Sequence, residues 1–363
     1  MTILHLISGG ETGGSKNHLI TLLQQFSKEE VVLGVMQEGQ LSNEARVAGI
    51  QTVVFNQSSR YDVSFLKKLS SFIQKNDINI VHTHGPRANF FTFLIRNFVK
   101  FRWFTTIHSD PTKDFIKGGL KGKVFTSLNM RVIKKIDHFF AVSHRFGEML
   151  VGFGVNSDKI SIIYNGISFA EPVGIPVTRE QLGLNKEDFV VTMVARYHPI
   201  KNHPLAFDAV SKLRDEEIPI QLFAIGDGPE RTHLEKLTND KDYIHLVGFR
   251  QDIHECLKVS DCLLLTSDSE SFPLVLLEAA RAKIPVVTTD VGGVSALLPS
   301  QQLGYIAPIG DVDKIAIYLR NLYELKMSGD ITSMGGNLYQ HAKHNFSLEQ
   351  LEQATRNAYT KFS

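Results

Sequence analysis

The sequence alternates short apolar runs rich in β-forming residues with longer stretches of helical periodicity, and this alternation occurs twice. In the first half, predicted strands lie near residues 3–8, 31–37, 52–55, 80–83, 103–108, 138–143 and 162–164. Such alternation is typical of parallel sheets that are covered on both faces by helices. The sequence therefore predicts an α/β fold.

The alternation is interrupted at residues 171–178, where two prolines and a glycine occur in the sequence EPVGIPVT. Neither a helix nor a strand continues easily through these residues, which indicates a linker. Further strands are predicted near 189–195, 221–225, 244–247, 262–266, 285–288 and 305–306. We expect two doubly wound Rossmann-like domains, 1–170 and 179–346, that face each other across a deep cleft. The amphipathic stretch 347–363 is predicted to be a helix that packs back on the first domain.

Length and composition exclude several other classes of protein. A chain of 363 residues, 43% of them hydrophobic, can bury two cores, which excludes disorder and a disulfide scaffold. Cys256 and Cys262 match no common zinc spacing and are expected to be buried, inert thiols in a reducing compartment. No leader or membrane span is recognisable in the sequence. We therefore expect a cytoplasmic protein, soluble or peripheral on the inner face of the plasma membrane.

A glycine-rich loop, SGGETGGS, connects the first predicted strand to a helix. Glycines such as Gly13 and Gly14 let the backbone approach a ligand, and the free amides at a helix start attract phosphate. The spacing differs from the Gly-x-Gly-x-x-Gly fingerprint of dinucleotide binding. Glu38 nevertheless follows the second strand, where a ribose-binding acid would lie, so a dehydrogenase stays as an alternative.

In the second domain, polar groups follow several of the predicted strands. Arg196 and Lys201, five residues apart after the first strand, could clamp a diphosphate, the arginine through its fork and the lysine as a point charge. Gly226, after the next strand, belongs either to this site or to a plain turn. Another strand ends between Val247 and Phe249, where backbone groups could contact the edge of a base.

The most specific segment is residues 266–280, in which a polar loop precedes a helix whose first turn is expected to contain Pro273. Glu270 is expected at the helix start and Glu278 on the helix flank, seven residues intervening. A lone carboxylate on an apolar helix face is costly unless it binds something, and ribose offers two hydroxyls to accept from. Alternatively, Asp268 and Glu270 would belong to an acidic triplet that binds a metal.

Together these features resemble the retaining glycosyltransferases of family 4, also described as glycosyl transferases group 1. The features that carry the resemblance are the Glu-x7-Glu spacing of Glu270 and Glu278, the cations Arg196 and Lys201, and the pairs Gly13-Gly14 and Gly292-Gly293. The resemblance extends over nearly the whole chain and implies the GT-B fold of two Rossmann-like domains. It also implies transfer of a sugar from a nucleotide-diphosphate donor.

The resemblance implies a role for each matching residue. Catalytic roles fall to Glu270, His108, Arg196 and Lys201, with His108 beside the donor sugar and Glu270 in contact with it. Donor binding is implied for Gly13, Gly14, Arg196, Lys201, Gly226, Val247, Phe249, Phe272, Leu274, Val275 and Glu278. The family is thought to use same-face attack, in which the leaving diphosphate helps to deprotonate the acceptor, so neither a metal nor another cofactor is expected.

Three further alternatives to this interpretation remain. His82, His84 and His108 could bind a metal, although we expect them on separate strand ends. A GT-B sugar-nucleotide epimerase would use acidic and histidine groups to move protons at the sugar. A non-catalytic scaffold that binds a nucleotide sugar would keep the same motifs without turnover.

The net charge of +1 conceals an asymmetry between the two halves of the chain. Residues 1–170 contain 20 basic and 12 acidic side chains, whereas residues 171–363 contain 19 and 26. Between 87 and 135, eleven basic residues are interleaved with aromatics, a pattern that suits an anionic membrane surface. We therefore expect a saccharide or polyprenyl-diphosphate-linked acceptor on the first domain, and no nucleic acid, because no nucleic-acid motif accompanies the charge. The oligomeric state is not predicted.

Overall fold

In the computed structural model, the chain divides into two compact units, residues 1–166 with 348–363, and residues 167–347. The structure describes residues 1–10, 14–59, 62–112 and 119–362, without the side chains of residues 14, 15, 120 and 121. The first segment of the first unit ends at Gly166, slightly before the predicted boundary at residue 170. Residues 171–178 have no regular secondary structure and belong to the second unit.

The first unit contains a seven-stranded parallel sheet with the strand order β3-β2-β1-β4-β5-β6-β7. Its strands are β1 (Thr2–Ile7), β2 (Val31–Val35), β3 (Thr52–Val54), β4 (Ile78–His84), β5 (Arg102–Ile107), β6 (His138–Ala141) and β7 (Ile160–Ile162). The helices are α1 (Gly14–Leu23), α2 (Gln40–Val47), α3 (Phe65–Lys75), α4 (Pro86–Ile95), α5 (Gly119–Ile133) and α6 (His144–Gly152).

Both faces of this sheet are buried, because alternate residues of each strand point to opposite faces. Ile3 and Ile7 of β1 pack in a core with residues of α1 and α2, while Leu4 and Leu6 pack in a second core with residues of α3 and α4. The predicted doubly wound arrangement is therefore present in this unit.

The second unit contains a six-stranded parallel sheet with the strand order β10-β9-β8-β11-β12-β13. Its strands are β8 (Phe189–Val194), β9 (Ile220–Ile225), β10 (Ile244–Gly248), β11 (Cys262–Leu265), β12 (Val286–Thr289) and β13 (Tyr305–Ala307). The helices are α7 (His203–Asp215), α8 (Arg231–Thr238), α9 (Ile253–Lys258), α10 (Leu274–Arg281), α11 (Val294–Leu297), α12 (Val312–Ser328) and α13 (Ile331–Asn345).

A further helix, α14 (Leu348–Phe362), follows the second unit in the chain but packs in the core of the first. Its Tyr359 side chain is fully buried there. Among the described residues, no helix combines the length and the apolar character that crossing a bilayer requires. Both cysteines are free and buried, and burial raises the pKa of each thiol.

The predicted α/β class with two parallel sheets is confirmed, and two local predictions were wrong. β7 lies at Ile160–Ile162, before the predicted 162–164, because these residues pair with β6. Pro273 precedes α10 as its N-cap residue and is not in the first turn, which begins at Leu274.

Candidate functional site

In the second unit, the loops that follow β8 and β11 lie side by side. These strands are neighbours at the centre of the sheet, where the strand order changes direction. Loops at the carboxyl ends of such a pair form the usual ligand site of an open α/β sheet. The loop after β8 carries Arg196 and Lys201, and the loop after β11 carries Glu270.

Hydrogen bonds tie the two loops together. The Thr266 hydroxyl donates to the carbonyl oxygens of Lys201 and Asn202, at 3.1 and 2.9 Å. The Asn202 side chain donates to the Asp268 carboxylate at 3.0 Å, and the Asp268 amide donates to the Ile200 carbonyl at 2.9 Å. The loops therefore hold their charged side chains in a fixed arrangement.

Lys201 and Glu270 form the central ion pair of this arrangement. The Lys201 ammonium donates to Glu270 Oε1 at 2.5 Å, and the Ser267 hydroxyl donates to the same oxygen at 2.7 Å. The side chains of Lys201 and Glu270 keep only 22% and 14% of their exposure. Since Asp268 is bonded to Asn202, both carboxylates of the acidic triplet are engaged by neighbouring side chains.

Arg196 is exposed, and no described residue pairs with its guanidinium. Its loop is held by the turn after β9, because the Tyr197 amide donates to the Asp227 carbonyl at 2.9 Å. Gly226 is required in that turn, since a Cβ there would lie 2.0 Å from the Ala195 carbonyl oxygen. The free guanidinium is therefore presented from a supported loop and available to an anion.

The first turn of α10 contributes backbone donors beside this ion pair. Leu274 and Val275 begin the helix, where amides have no intrahelical acceptor. Phe272 lies just before the helix with its side chain buried, its ring centroid 5.4 Å from that of Phe346. The amides of Leu274 and Val275 suit an anion.

Glu278 lies one turn into α10 and is half-buried. Burial raises the pKa of its carboxyl, and no described residue forms a hydrogen bond with it. The neighbouring Arg281 donates instead to the Ser168 carbonyl. A partly desolvated carboxylate without a protein donor is unfavourable in the free protein and is suited to a ligand that brings hydroxyl groups.

Gly292, between β12 and α11, supports the Glu270 loop from behind. Its φ of +53° lies in the left-handed region, and a Cβ there would lie 2.3 Å from the Ser271 carbonyl oxygen and 2.7 Å from that of Glu270. A larger residue would displace the loop that carries Glu270. Gly293 is the N-cap residue of α11.

Val247 and Phe249 flank Gly248 at the end of β10. Gly248 accepts a hydrogen bond from the Gly226 amide at 2.9 Å, which joins this strand end to the turn that supports Arg196. The Phe249 side chain is 73% exposed, whereas Val247 packs against the apolar cluster that contains Val190. Phe249 is thus available for contact with a ligand.

In the first unit, His108 follows β5 and borders a cavity of about 210 Å³ that is also lined by His84, Asn89 and Asn129. Burial lowers the pKa of His108 to about 4. The expectation that His82, His84 and His108 lie on separate strand ends was wrong. His82 and His84 belong to the same strand, β4, and a period of two turns both to one face.

Two further sequence predictions concern the start of the first unit. Gly13 lies outside the described residues, and Gly14 is the first residue of α1. Glu38, the acid of the dehydrogenase alternative, forms an exposed ion pair with Arg46 at 2.6 Å.

Sequence reasoning missed several polar residues that the structure places in these sites. Ser267 and Asn202 were not singled out, although both lie within the two strand-end loops. His5 was missed as well; it lies on β1 opposite His82 of β4. A histidine in an otherwise apolar first strand was the available signal.

Comparison with known proteins agrees with this architecture. A family model described as "Glycosyl transferases group 1" matches residues 175–338, and one described as "Glycosyltransferase Family 4" matches residues 12–171. The crystal structure of Anabaena Alr3699/HepE in complex with UDP matches with a TM-score of 0.84 at 19% identity, covering 99% of this chain and all of that one. The two units therefore define a protein of the GT-B fold.

Two sequence relatives have established names. The UDP-Gal:alpha-D-GlcNAc-diphosphoundecaprenol alpha-1,3-galactosyltransferase of Escherichia coli is 28% identical over 75% of this chain and 73% of its own length. The N-acetyl-alpha-D-glucosaminyl L-malate synthase of Bacillus anthracis is 25% identical over 70% and 68%. Because the two family models together match most of the sequence, this chain belongs to glycosyltransferase family 4 and is a glycosyltransferase.

Proposed function

We propose that the protein is a retaining, metal-independent glycosyltransferase. It moves a sugar from a nucleotide-diphosphate donor to a saccharide or lipid-linked saccharide acceptor in the synthesis of a cell-surface or extracellular polysaccharide. The observation that carries the proposal is the ion pair of Lys201 and Glu270 beside the exposed Arg196 and the amides that open α10. The donor and acceptor classes are supported by a relative whose name includes UDP-Gal and a diphosphoundecaprenol-linked sugar, and by a structural neighbour that was solved with UDP.

The charge arrangement supports diphosphate as the group bound. Two cations lie on the loop after β8, and the neighbouring loop after β11 leads into a helix start. A departing diphosphate gains negative charge as the sugar leaves. Preorganised donors stabilise that charge without reorganisation at the moment of reaction. Lys201 and Arg196 therefore neutralise the leaving group in this proposal, in place of a divalent metal.

The state of Glu270 supports same-face attack. A covalent double displacement needs a carboxylate nucleophile, but Glu270 Oε1 accepts hydrogen bonds from both Lys201 and Ser267. Such charge-assisted hydrogen bonds withdraw electron density from the carboxylate oxygen and make it a weaker nucleophile. In the proposed mechanism Glu270 orients the sugar, and the leaving diphosphate accepts the proton of the acceptor hydroxyl.

Replacing Glu278 tests the donor site directly. Glu278→Ala is expected to weaken binding of the matching nucleotide by about 10- to 100-fold, because two charge-assisted hydrogen bonds to ribose are lost. The free energy of unfolding of the ligand-free protein should change little, since the variant removes a desolvated carboxylate that has only a charge interaction with Arg281 and no hydrogen-bond donor among the described residues. Calorimetry and thermal unfolding measure both quantities.

The control for this variant is Glu235→Ala, on an exposed α8 side chain that pairs with Arg231. It should leave nucleotide affinity unchanged. A thermal-shift screen with UDP, GDP and ADP first identifies the base. If Glu278→Ala binds that nucleotide as the unmodified protein does, the assignment of Glu278 to the ribose is incorrect.

The same preparation separates transfer from the two rival functions. A transferase releases the nucleoside diphosphate rapidly when the acceptor is present, and only slowly without it, by hydrolysis of the donor. An epimerase would return an epimeric nucleotide sugar and no free nucleotide, and a scaffold would bind without turnover. Chromatography of the reaction with an acceptor extract distinguishes these outcomes.

We further propose that the first unit docks on the cytoplasmic face of an anionic membrane. Phe98 follows α4 with 81% of its surface exposed, beside the exposed Lys100 and Arg102. On α5, Val124 is 67% exposed next to Lys123. Of the other aromatics in this segment, Phe91 and Trp103 are buried, so the apolar contribution rests on fewer side chains than the sequence suggests.

Membrane docking predicts a loss of vesicle binding in charge variants. Lys100→Ser combined with Arg102→Ser should weaken binding to anionic vesicles by about 30-fold, since each cation contributes about 1 kcal/mol near such a surface. Phe98→Ser should weaken it separately. Val47→Ser is the matched control, because Val47 is 91% exposed on α2. If the same fraction of the protein floats with anionic vesicles as with neutral vesicles, docking is refuted.

A further inference from the structure

A row of buried polar side chains crosses the core of the first unit, where an apolar core would be expected. His5 of β1 lies opposite His82 of β4, and His84 is two residues further on the same face. Thr106 of β5 and Tyr359 of α14 complete the row. All five side chains are at most 5% exposed. Burial of so many polar groups requires that each finds a partner.

These side chains form a continuous chain of contacts that ends at His108. Thr106 Oγ1 lies 2.7 Å from His82 Nε2, and His82 Nδ1 contacts the Tyr359 hydroxyl. That hydroxyl lies 3.3 Å from His5 Nε2, and His5 Nδ1 lies 3.0 Å from His84 Nε2. His84 Nδ1 lies 3.4 Å from His108 Nε2. We call Thr106, His82, Tyr359, His5, His84 and His108 the histidine chain.

A metal ion is the first alternative, because ligand atoms of His5, His82 and His84 lie within 4.8 Å of one another. The geometry disfavours it. The three rings are stacked, with interplanar angles of 24°, 18° and 8°. Lone pairs lie in the ring planes, so stacked rings cannot all direct them at one ion. Both nitrogens of each ring also have hydrogen-bond partners already.

Counting protons shows what such a chain can do. Burial lowers the pKa of His5 to about 3 and that of His108 to about 4, and it lowers the pKa values of His82 and His84 well below the ordinary value. Each ring is therefore neutral and carries one N–H proton. The six groups hold six protons, and the five contacts between them use five.

The remaining proton lies at one end or the other. In one ordering every group donates towards His108, whose Nδ1 then carries the free proton. In the opposite ordering every group donates towards Thr106, whose hydroxyl carries the free proton, and His108 Nδ1 is an acceptor. The two orderings interconvert when each of the five shared protons crosses its own contact while one proton enters at one end and another leaves at the other end, so that no charge remains in the core. Thr106 and His108, the two ends, both border the same cavity.

We propose that the histidine chain is a proton relay that sets whether His108 presents a hydrogen-bond donor or acceptor to a sugar hydroxyl in the adjoining cavity. A proton accepted at His108 Nδ1 is matched by a proton released from Thr106 Oγ1, so the relay is balanced without a buried ion. His5, His82, His84 and Tyr359 are positioning residues, since they act through His108. The sugar as ligand rests on the proposed function; the coupling within the chain does not.

The test is nuclear magnetic resonance of protein labelled with ¹⁵N in histidine, which assigns the tautomer of each ring. The ligand is UDP-glucose, or the corresponding nucleotide sugar if the screen above identifies another base. In the unmodified protein, its binding is expected to move the N–H proton from one ring nitrogen to the other in His108, His84, His5 and His82 together. In Tyr359→Phe, the change should reach His5 and stop before His82. Tyr318→Phe, in the second unit, should behave as the unmodified protein does.

Several outcomes separate the relay from a purely structural role. If the four rings keep their tautomers when the ligand binds, or if His82 still responds in Tyr359→Phe, the relay is refuted. If Tyr359→Phe does not fold, His84→Gln and His84→Asn provide the same interruption next to His108. Retention of one equivalent of zinc after dialysis, lost in His82→Phe, would replace the relay with a metal site.

The same data distinguish failure of the relay from failure of the proposed function. In the ligand-free protein, Tyr359→Phe is expected to shift the tautomer ratio of His108, because Thr106 and His82 are no longer connected to His108 through hydrogen bonds. If Tyr359→Phe shifts this ratio but the protein binds no nucleotide sugar, the relay is supported and the proposed function is refuted. Transferase activity with rings that respond independently supports the function and refutes the relay.

Discussion

Replacing Lys201 by methionine is expected to lower turnover by about 100- to 1,000-fold, the usual effect of removing one preorganised donor from a developing anion. Methionine keeps the length and apolar stem of the side chain but not the charge. Glu270 loses its partner, which is held at 2.5 Å in the free protein, and the proposed diphosphate site loses one of its two cations. The loss should appear mainly in kcat, because the charge on the diphosphate is greatest in the transition state.

The matched control is Lys212→Met, which also removes a lysine from an ion pair in the second unit. Its pair with Asp313, at 2.7 Å, is exposed and lies on α7 and α12, away from the strand-end loops. Initial rates at saturating donor and acceptor should therefore be unchanged in the control. A turnover in Lys201→Met within threefold of the unmodified enzyme would remove Lys201 from the catalytic machinery.

Mild acid is expected to unfold the first unit before the second. Burial lowers the pKa of His5 and His18 from 6.5 to about 3 and that of His138 to about 4, so these rings stay neutral in the folded state and become protonated on unfolding. Their contribution to stability is complete above pH 6.5 and is lost as the pH falls towards the folded pKa. At pH 5 the three groups together remove about 6 kcal/mol. His82 and His84 act in the same direction.

That loss is comparable with the whole stability of a typical domain, about 5–15 kcal/mol. The sequence contains one tryptophan, Trp103, and it is fully buried in the first unit. Its emission should shift to the red between about pH 6 and pH 5, while most of the helical circular dichroism of the second unit persists.

Two histidine variants check the cause of the acid transition. His138→Phe, whose ring already stacks on Phe362 at 3.8 Å, removes one titrating group and should move the midpoint to lower pH. His233→Gln, on the exposed face of α8, should leave it unchanged. Native tryptophan emission at pH 4.5 in the unmodified protein would contradict the expected penalty.

Much of the fold could be predicted from the sequence because parallel strands buried on both faces are continuous apolar runs. Each of the thirteen strands in the described part of the chain lies at or next to a predicted run. Both bounds of β7 were missed, since apolar residues continue through Ile163 and only the pairing with β6 defines the strand. Strand pairing is a property of the folded sheet and leaves little trace in one segment.

The site could be predicted in part for a similar reason. Arg196, Lys201 and Glu270 follow strands directly, and strand ends at the centre of the sheet converge. That Lys201 binds Glu270, while Arg196 has no described partner, depends on the loop conformations that Gly226 and Gly292 allow. Those conformations depend on close contacts between segments that are distant in the sequence.

The histidine chain was missed because it depends on sheet order. β1 and β4 are neighbours, although two strands separate them in the sequence, and only their pairing brings His5 opposite His82. Tyr359 arrives from a helix at the other end of the sequence. The alternation of His82 and His84 on one strand was available as a signal, and it should have placed both on one face.

Because α14 packs in the first unit, the two units can complete their folds at different times during synthesis. Residues 167–347 are contiguous, and Ile167 and Ser347 at the borders of that segment are bridged to each other, so the second unit is complete as soon as it leaves the ribosome. The first unit cannot close until residues 348–362 have been made, because Tyr359 fills its core. The earlier-translated domain is therefore the later one to mature, and the second is in effect an insertion within it.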